Sequence, residues 1–301
     1  NKLWLAKTDR KFDNVWIVRN AKRIARTLVL KVVSSASYRQ GNCKMSLTNA
    51  LLNKYQEDGL LFLENMFAVG EIDALIRELD NILALDLSTH LIAESGEVLG
   101  TTVMHEQSKL YQNLINDERL VSIAEQVLGG PVYVHQYKVI LKEPFGHLSL
   151  PWHQDYGPWQ HHDGMPEPKA LSFGIFLDEV NEFNGPIAYI PGSHSDGLIT
   201  YEVLAVPGTT PIPSLPNKTV TKLTEKRGIV SPKGPAGSAT LFDCCTAHAS
   251  GMNISPNSRR LIYLSYNLRS NAIQKPTRAA HFAARDFTVA SARPAADLLQ
   301  Y

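Results

Sequence analysis

Residues 150–156 read LPWHQDY, and within them a histidine and an aspartate, His153 and Asp155, are separated by one residue. On or beside a strand, residues i and i+2 point to the same side. An imidazole nitrogen and a carboxylate oxygen placed in this way can occupy two neighbouring positions on one metal ion. The stretch is rich in aromatic residues and closely follows a β-rich run, so we expect His153 and Asp155 to belong to a metal site.

The His-x-Asp pattern occurs in two other places, so the tripeptide is a weak signal on its own. One copy is His161–Asp163, where the turn signal DGMP at 163–166 means that the two side chains need not share a face. The other copy is His194–Asp196, which follows a Pro-Gly pair at 191–192 and is expected in a loop. We therefore prefer His153 and Asp155 and keep the other two pairs as alternatives.

A second, distant histidine would complete the 2-His-1-carboxylate face that is typical of non-haem Fe(II) oxygenases. Residues 241–248 read LFDCCTAH and end on His248, and strand alternation would place Phe242 and His248 on one face. Arg259 follows eleven residues later, at the start of the next β-rich run, with Tyr263 on its face. A guanidinium offers a carboxylate two parallel hydrogen bonds, so we expect Arg259 to hold a co-substrate carboxylate.

The rest of the chain predicts helices first and short strands later. The stretch Pro207–Lys222 contains four prolines and no periodicity, which predicts a long loop that could act as a lid. The order of the elements predicts an α+β fold whose body is an antiparallel sandwich or barrel. Helical patterns cover 48–58, 69–85 and 117–128, and β-rich runs cover 60–63, 132–141, 170–177, 187–190, 238–242 and 260–266.

The composition is that of an ordinary globular protein, with 301 residues of which 44% are hydrophobic and 20% charged. No apolar run approaches the roughly 18 residues that a membrane span needs. The three cysteines, two of them the adjacent Cys244 and Cys245, cannot build a disulfide framework, so we expect a reducing, cytoplasmic location. We expect a small-molecule substrate, no nucleic-acid or membrane partner, and a monomer or homodimer.

Charge is distributed unevenly along the chain. Residues 1–44 carry eleven Lys and Arg against two Asp, a net charge of +9, and the remaining residues carry a net charge of −8. A break of this kind usually marks a segment outside the core. An organellar presequence, a nucleic-acid-binding arm and translated sequence upstream of a start at Met45 are the open interpretations, and we favour the last. We predict a basic extension over 1–44 and one catalytic domain over 45–301.

His153-x-Asp155, the distal His248 and Arg259 together resemble the phytanoyl-CoA dioxygenase family of Fe(II)/2-oxoglutarate oxygenases, over about residues 47–267. The resemblance implies a double-stranded β-helix core (jelly-roll, cupin-like) with the N-terminal helices packed on one sheet. It implies Fe(II) bound by His153, Asp155 and His248. It also implies 2-oxoglutarate held by Arg259 with help from Gln136, Ser172 and Ser250, and a substrate pocket lined by Trp159, Phe242 and Tyr263.

The chemistry implied by this resemblance is the oxidative decarboxylation of 2-oxoglutarate with O2, coupled to hydroxylation of an unactivated C–H bond. The carboxylate of Asp155 stands where family halogenases keep Gly or Ala, which favours hydroxylation. Residues 152–159 and 163–166 are similar to ectoine hydroxylases, whereas 135–138 and 230–233 are similar to bacterial leucine 5-hydroxylases. Ectoine hydroxylases usually have His at the position of Gln160 and Phe at the position of Tyr263.

We therefore expect a dioxygenase that hydroxylates a free aliphatic amino acid or a similarly compact zwitterion. The alternatives are a hydroxylase of ectoine or of a larger natural-product or acyl substrate, and a non-catalytic, cupin-like binding protein. The last is disfavoured because all three ligand positions and Arg259 are filled. Lys138 is expected to be either a satisfied inward group or a carboxylate contact. The remaining histidines are expected in packing or surface roles, and these include His90, His105, His147 and His281.

Overall fold

The computed structural model describes residues 46–204 and 212–300. The predicted basic extension, the proposed start at Met45 and part of the predicted lid lie outside the described residues. Within the described ranges, no helix is long and apolar enough to cross a membrane.

Four helices come early in the described chain, and their ends follow local sequence signals. The Thr48 side chain accepts a hydrogen bond from the N–H of Leu51 at the start of α1, and Gly59 ends that helix in the left-handed region. The Asp117 side chain accepts a hydrogen bond from the N–H of Arg119 at the start of α4, and Gly129 ends that helix in the left-handed region. The helices are α1 (Asn49–Asp58), α2 (Val69–Leu83), α3 (Lys109–Leu114) and α4 (Glu118–Leu128).

The strands build a large antiparallel sheet, a smaller one and a short hairpin. The twelve strands of the described residues are β1 (Leu60–Leu63), β2 (His90–Ile92), β3 (Val98–Thr102), β4 (Val132–Lys142), β5 (Leu150–His153), β6 (Ala170–Phe176), β7 (Ile187–Tyr189), β8 (Glu202–Leu204), β9 (Ile212–Ser214), β10 (Ala239–Asp243), β11 (His248–Ser250) and β12 (Arg259–Leu268). The large sheet has the order β1-β10-β6-β12-β4-β3-β2, the small sheet has the order β5-β11-β7, and β8 pairs with β9.

Two apolar layers flank the large sheet. One face packs against α1 to α4 in the main core, for example Leu75 of α2 and Ile123 of α4 near Ile262 of β12. The other face packs towards the small sheet, where Phe176 and Leu261 share a cluster with Tyr189 of β7. This is the predicted double-stranded β-helix core with the N-terminal helices on one sheet.

Strand register sets the order of side chains on the inner face of the large sheet. Successive inward residues of β4 stand opposite inward residues of β12 in four rows, namely Lys142 with Arg259, Ile140 with Leu261, Lys138 with Tyr263, and Gln136 with Ser265. Each row lies two residues, or roughly 7 Å, from the next. Two cations therefore mark one end of the face, and amide and hydroxyl groups mark the other.

The predicted lid is only partly a loop. Residues 212–214 form β9, and residues 217–222 lie in helix α6 (Asn217–Arg227), so the loop prediction is wrong for them. Pro216 immediately precedes the helix, with a φ of −57° and a ψ of 136°. Leu223 and Val220 pack with Ile190 of the core, and this tertiary packing stabilises a helix that shows little periodicity of its own.

Candidate metal and co-substrate site

The small sheet brings the three predicted metal ligands together. His153 ends β5 and pairs in register with His248, the first residue of β11. Asp155 immediately precedes helix α5 (Tyr156–Asp163), and its side chain makes no capping hydrogen bond, so the carboxylate is free to bind elsewhere. The Nε2 atoms of His153 and His248 each lie 4.0 Å from Oδ1 of Asp155. The three ligand atoms all lie within 4.8 Å of one another.

The backbone that positions Asp155 and His248 differs from the predicted continuous strands in two places. Asp155 has helical backbone angles, φ −68° and ψ −34°, so it does not share a strand face with His153. Strand β10 ends at Asp243, and a turn carries the chain into the other sheet before His248. The Asp243 side chain accepts the N–H of Cys245 at 2.8 Å, which forms a local turn and breaks the predicted continuous strand.

Each histidine of the triad presents the nitrogen that a metal needs. Nδ1 of His153 lies 2.7 Å from the carbonyl oxygen of Pro151, and Nδ1 of His248 lies 3.0 Å from that of Thr246. Bonds of this kind fix the tautomer, with the proton on Nδ1 and a lone pair on Nε2. Burial, with help from the neighbouring His248, lowers the pKa of His153 to about 3. The imidazole is therefore neutral at physiological pH, as metal binding requires.

The carboxylate of the triad is held in its charged form. Burial alone would raise the pKa of Asp155, but the nearby His248, Lys138 and His153 lower it below its usual value. Two neutral imidazoles and one carboxylate form the donor set that non-haem Fe(II) oxygenases use. The described side chains thus fit a divalent iron ion without rearrangement of charge.

Two cations stand side by side at the far end of the inner face. Arg259 is 0% exposed, and its Nη2 donates to the carbonyl oxygen of Gly185 at 2.9 Å. Its Nη1 is buried without a hydrogen-bond partner among the described residues. Lys142, opposite in the register, donates to Oγ of Ser250 at 2.9 Å and to the carbonyl oxygen of Gly251. No acidic side chain of the described ranges pairs with either cation, so the pair fits an anion.

The family-level comparison decides the identity of this site. The sequence profile of the phytanoyl-CoA dioxygenase family matches residues 55–261. The chain belongs to the phytanoyl-CoA dioxygenase family. It is 33% identical over 256 residues to ectoine dioxygenase of Bordetella parapertussis, covering 79% of this chain and 81% of that protein. It is 32% identical over 261 residues to L-proline trans-4-hydroxylase of Streptomyces griseoviridis, covering 81% of this chain and 96% of that protein.

A solved structure of similar architecture is EctD from S. alaskensis with 2-oxoglutarate and 5-hydroxyectoine. It matches with a TM-score of 0.73 and 30% identity, covering 86% of this chain and 90% of that one. A structure of the same protein with bound Fe matches equally well. The chain is therefore a 2-oxoglutarate-dependent non-haem iron dioxygenase, a hydroxylase that uses Fe(II), 2-oxoglutarate and O2 and acts on a small molecule.

The four residues predicted to hold 2-oxoglutarate do not converge on one point of the dioxygenase. Ser250 of the small sheet lies near Arg259 of the large sheet, because Lys142, which stands opposite Arg259, donates to the Ser250 hydroxyl. Gln136 and Ser172 lie in the row of Ser265, six residues or roughly 20 Å along β12 from Arg259. Sequence reasoning did not assign Lys142. Burial and the neighbouring Arg259 lower its pKa to about 6.

A cavity of about 810 Å³ opens over the triad of the dioxygenase. Trp159 and Tyr263 line it, whereas Phe242 is fully buried behind His248, with 5.0 Å between their ring centroids. The other lining residues include His90, His281 and Arg278, which were not predicted as site residues, and Lys138, for which a carboxylate contact was one of two expectations. His90 and His281 border the cavity, and His90 keeps the expected packing role, because its ring nitrogens lie 3.0 Å from Oγ1 of Thr101 and 2.8 Å from the carbonyl oxygen of Leu85.

The other His-x-Asp pairs of the dioxygenase serve the scaffold. Asp163 is fully buried and receives two hydrogen bonds from Arg278, which fastens the C-terminal segment to α5. Asp196 pairs with Arg227 of α6. Neither carboxylate belongs to a group of three potential ligands within the described residues. A second such group, Asp243 with Cys244 and Cys245, comes from one turn, in which the carboxylate accepts a backbone N–H and both thiols are buried.

Proposed function

We propose that this dioxygenase hydroxylates an unactivated C–H bond of a free aliphatic amino acid or a similarly compact zwitterion. The overall reaction converts the substrate R–H, 2-oxoglutarate and O2 into R–OH, succinate and CO2. The observation that carries the proposal is the placement of the His153, Asp155 and His248 side chains on the wall of one cavity, with an unpartnered guanidinium nitrogen of Arg259 beyond it.

The side chains have separate tasks in this proposal. His153, Asp155 and His248 hold the iron, and Arg259 with Lys142 and Ser250 holds the distal carboxylate of 2-oxoglutarate. When bound, Fe(II) supplies the coupling of 2-oxoglutarate decarboxylation to O2-dependent hydroxylation. Phe242 supports the ring of His248 from behind, while Trp159 and Tyr263 wall the cavity and help to exclude water.

The relatives support a compact substrate of zwitterionic character. One relative is named for ectoine, and another is named for L-proline, which is a free amino acid. Ectoine remains the second candidate because several relatives of this chain bear its name. A larger acyl or natural-product substrate is the third, since a cavity of about 810 Å³ lies in the upper part of the usual range for small-molecule sites.

A substrate panel tests the proposal. Succinate formation and hydroxylated product are measured together, with Fe(II) and 2-oxoglutarate, for L-leucine, L-isoleucine, L-proline, ectoine and an acyl-CoA. We expect stoichiometric succinate and product with at least one aliphatic amino acid, and neither in Asp155→Ala. Tight coupling on the acyl-CoA alone would refute the proposal, and coupling on ectoine alone would replace it with the second candidate.

The remaining expectations about the whole protein stay predictions. These are a cytoplasmic location, a monomer or homodimer, the absence of nucleic-acid and membrane partners, and a catalytic domain that spans 45–301 without the basic extension.

A further inference from the structure

The inward face of β4 carries a cation that the proposed chemistry has not used. Strand alternation places Gln136, Lys138 and Ile140 on the cavity side, and all three line the cavity. Lys138 stands opposite Tyr263, with its Nζ 5.6 Å from the centroid of that ring. Burial lowers the pKa of Lys138, and the carboxylate of Asp155 is close enough to oppose this shift, so the Lys138 side chain lies on the metal side of the cavity.

Lys138 has no counter-ion in the described structure. The guanidinium of Arg278 also lines the cavity, but it is paired with the carboxylate of Asp163. The only carboxylate among the lining residues belongs to Asp155, which the iron site uses. In the described ranges no hydrogen bond or ion pair engages the Lys138 ammonium, which lies over the face of the Tyr263 ring. A half-buried cation without a partner on the wall of a cavity is unfavourable, so this position suits an anionic group of a ligand.

Lys138 is too far along the strand to serve the distal carboxylate of 2-oxoglutarate. It lies four residues, or roughly 13 Å, from Lys142, the cation that stands opposite Arg259. A second carboxylate, from the substrate, is the group of matching charge that the proposed function brings into the cavity.

An apolar wall lies beside this lysine. Hairpin β2–β3 packs its Gly100 against β4 so closely that a Cβ there would collide with the carbonyl oxygen of Val139. This approach brings Leu91 and Leu99 into the cavity wall, next to Ile140. Neighbouring aliphatic side chains continue the wall, and they are Ile92, Leu148, Leu150 and Ile187.

We propose that Lys138 binds the substrate carboxylate and that the wall of Leu91, Leu99 and Ile140 receives an aliphatic side chain. The inference rests on the proposed function and narrows it to aliphatic α-amino acids, in preference to compact polar rings such as ectoine. With the carboxylate held at Lys138, the carbon chain lies between the apolar wall and the iron ligands, and one of its C–H bonds is presented for hydroxylation.

The test compares Lys138→Met with Lys222→Met, which removes an exposed lysine of α6. The probes are L-leucine and L-leucinamide, which lacks the carboxylate. Loss of a charge-assisted hydrogen bond should raise the KM for L-leucine by about 10- to 100-fold in Lys138→Met. The preference for L-leucine over L-leucinamide should fall by the same factor, while the KM for 2-oxoglutarate stays within about twofold. A merely structural role of Lys138 would not change that preference.

A second variant, Leu99→Ala, tests the apolar wall in the same assay. Leu99→Ala should raise the KM for L-leucine about tenfold but change the KM for L-alanine by less than about threefold, because only the longer chain reaches the wall. An unchanged L-leucine preference in Lys138→Met, or a raised KM for 2-oxoglutarate instead, would overturn the inference while leaving the proposed function intact. If no amino acid supports turnover by the wild-type enzyme, the proposed function fails, and the inference fails with it.

Discussion

Replacement of Arg259 by glutamine removes the charge that we assign to the distal carboxylate of 2-oxoglutarate. In the structure the Nη1 of Arg259 is buried without a partner, so the bound carboxylate is its natural acceptor. Loss of one partner of a buried, charged hydrogen bond costs about 2–5 kcal/mol, which corresponds to roughly 30- to 4,000-fold in affinity.

The lower part of that range applies here because Lys142 remains in place. Arg259 is one cause of the lowered pKa of Lys142, after burial, and its removal favours the charged form of that lysine. A charged Lys142 compensates for part of the lost attraction. We therefore expect the KM for 2-oxoglutarate to rise about 30- to 150-fold in Arg259→Gln, with Fe(II) affinity nearly unchanged.

The neighbouring Arg260 supplies the matched control. It points to the opposite face of β12 and pairs with Asp178, with 2.7 Å between its Nη2 and Oδ1 of the aspartate. Arg260→Gln should lower the melting temperature slightly and leave the KM for 2-oxoglutarate within about twofold. The assay is succinate formation at varied 2-oxoglutarate, with iron content measured in parallel. An unaffected KM in Arg259→Gln, or a crippled Arg260→Gln, would refute the assignment.

Four further predictions concern the iron ligands, Lys142, Phe242 and the basic segment. His153→Ala should lose both bound iron and 2-oxoglutarate turnover, whereas His194→Ala, which alters a residue outside the triad, should keep both; iron retained by His153→Ala would move the metal site. Lys142 has a pKa of about 6 in the free protein and gains a proton when the carboxylate of 2-oxoglutarate binds, so the affinity for 2-oxoglutarate should fall as pH rises above 6. Calorimetry in buffers of different ionisation enthalpy should show this proton uptake. The uptake should disappear in Lys142→Met. Phe242→Ala should uncouple the enzyme, with succinate still formed but less hydroxylated product, because His248 loses its support; unchanged coupling would contradict this. A chain that starts at Met45 should remain soluble and active, and loss of activity in that chain alone would show that the basic segment is needed.

The parts of the fold that depend on local physics could be predicted from the sequence. Thr48 and Gly59 bracket α1 because a cap side chain and a left-handed glycine act on their immediate neighbours. Alternation also places Arg259 and Tyr263 together on β12, because that strand runs without interruption between them.

The alternation of strand residues fails as a guide where a side chain accepts a backbone N–H and ends the strand. Asp243 accepts the N–H of Cys245 and turns the chain out of β10, so His248 reaches the metal site on the other sheet. Helix α6 was missed for a different reason, since its stability depends on contacts of Leu223 with distant residues. Sheet order brings His90 to the cavity and Lys142 opposite Arg259, and a C-terminal segment brings His281 to the cavity; none of this long-range packing is visible in a short stretch of sequence.

We predict that one reaction couples 2-oxoglutarate to hydroxylation of an aliphatic amino acid, and oxygen-isotope labelling tests this coupling most directly. The wild-type enzyme is incubated with Fe(II), 2-oxoglutarate and L-leucine under ¹⁸O₂, and both products are analysed by mass spectrometry. We predict one ¹⁸O atom in succinate and one in a hydroxylated leucine, in equal amounts, and neither product in Asp155→Ala. The opposite result would be labelled succinate without labelled hydroxyleucine and without a labelled hydroxylated product from any other aliphatic amino acid. That result would contradict the proposed coupling.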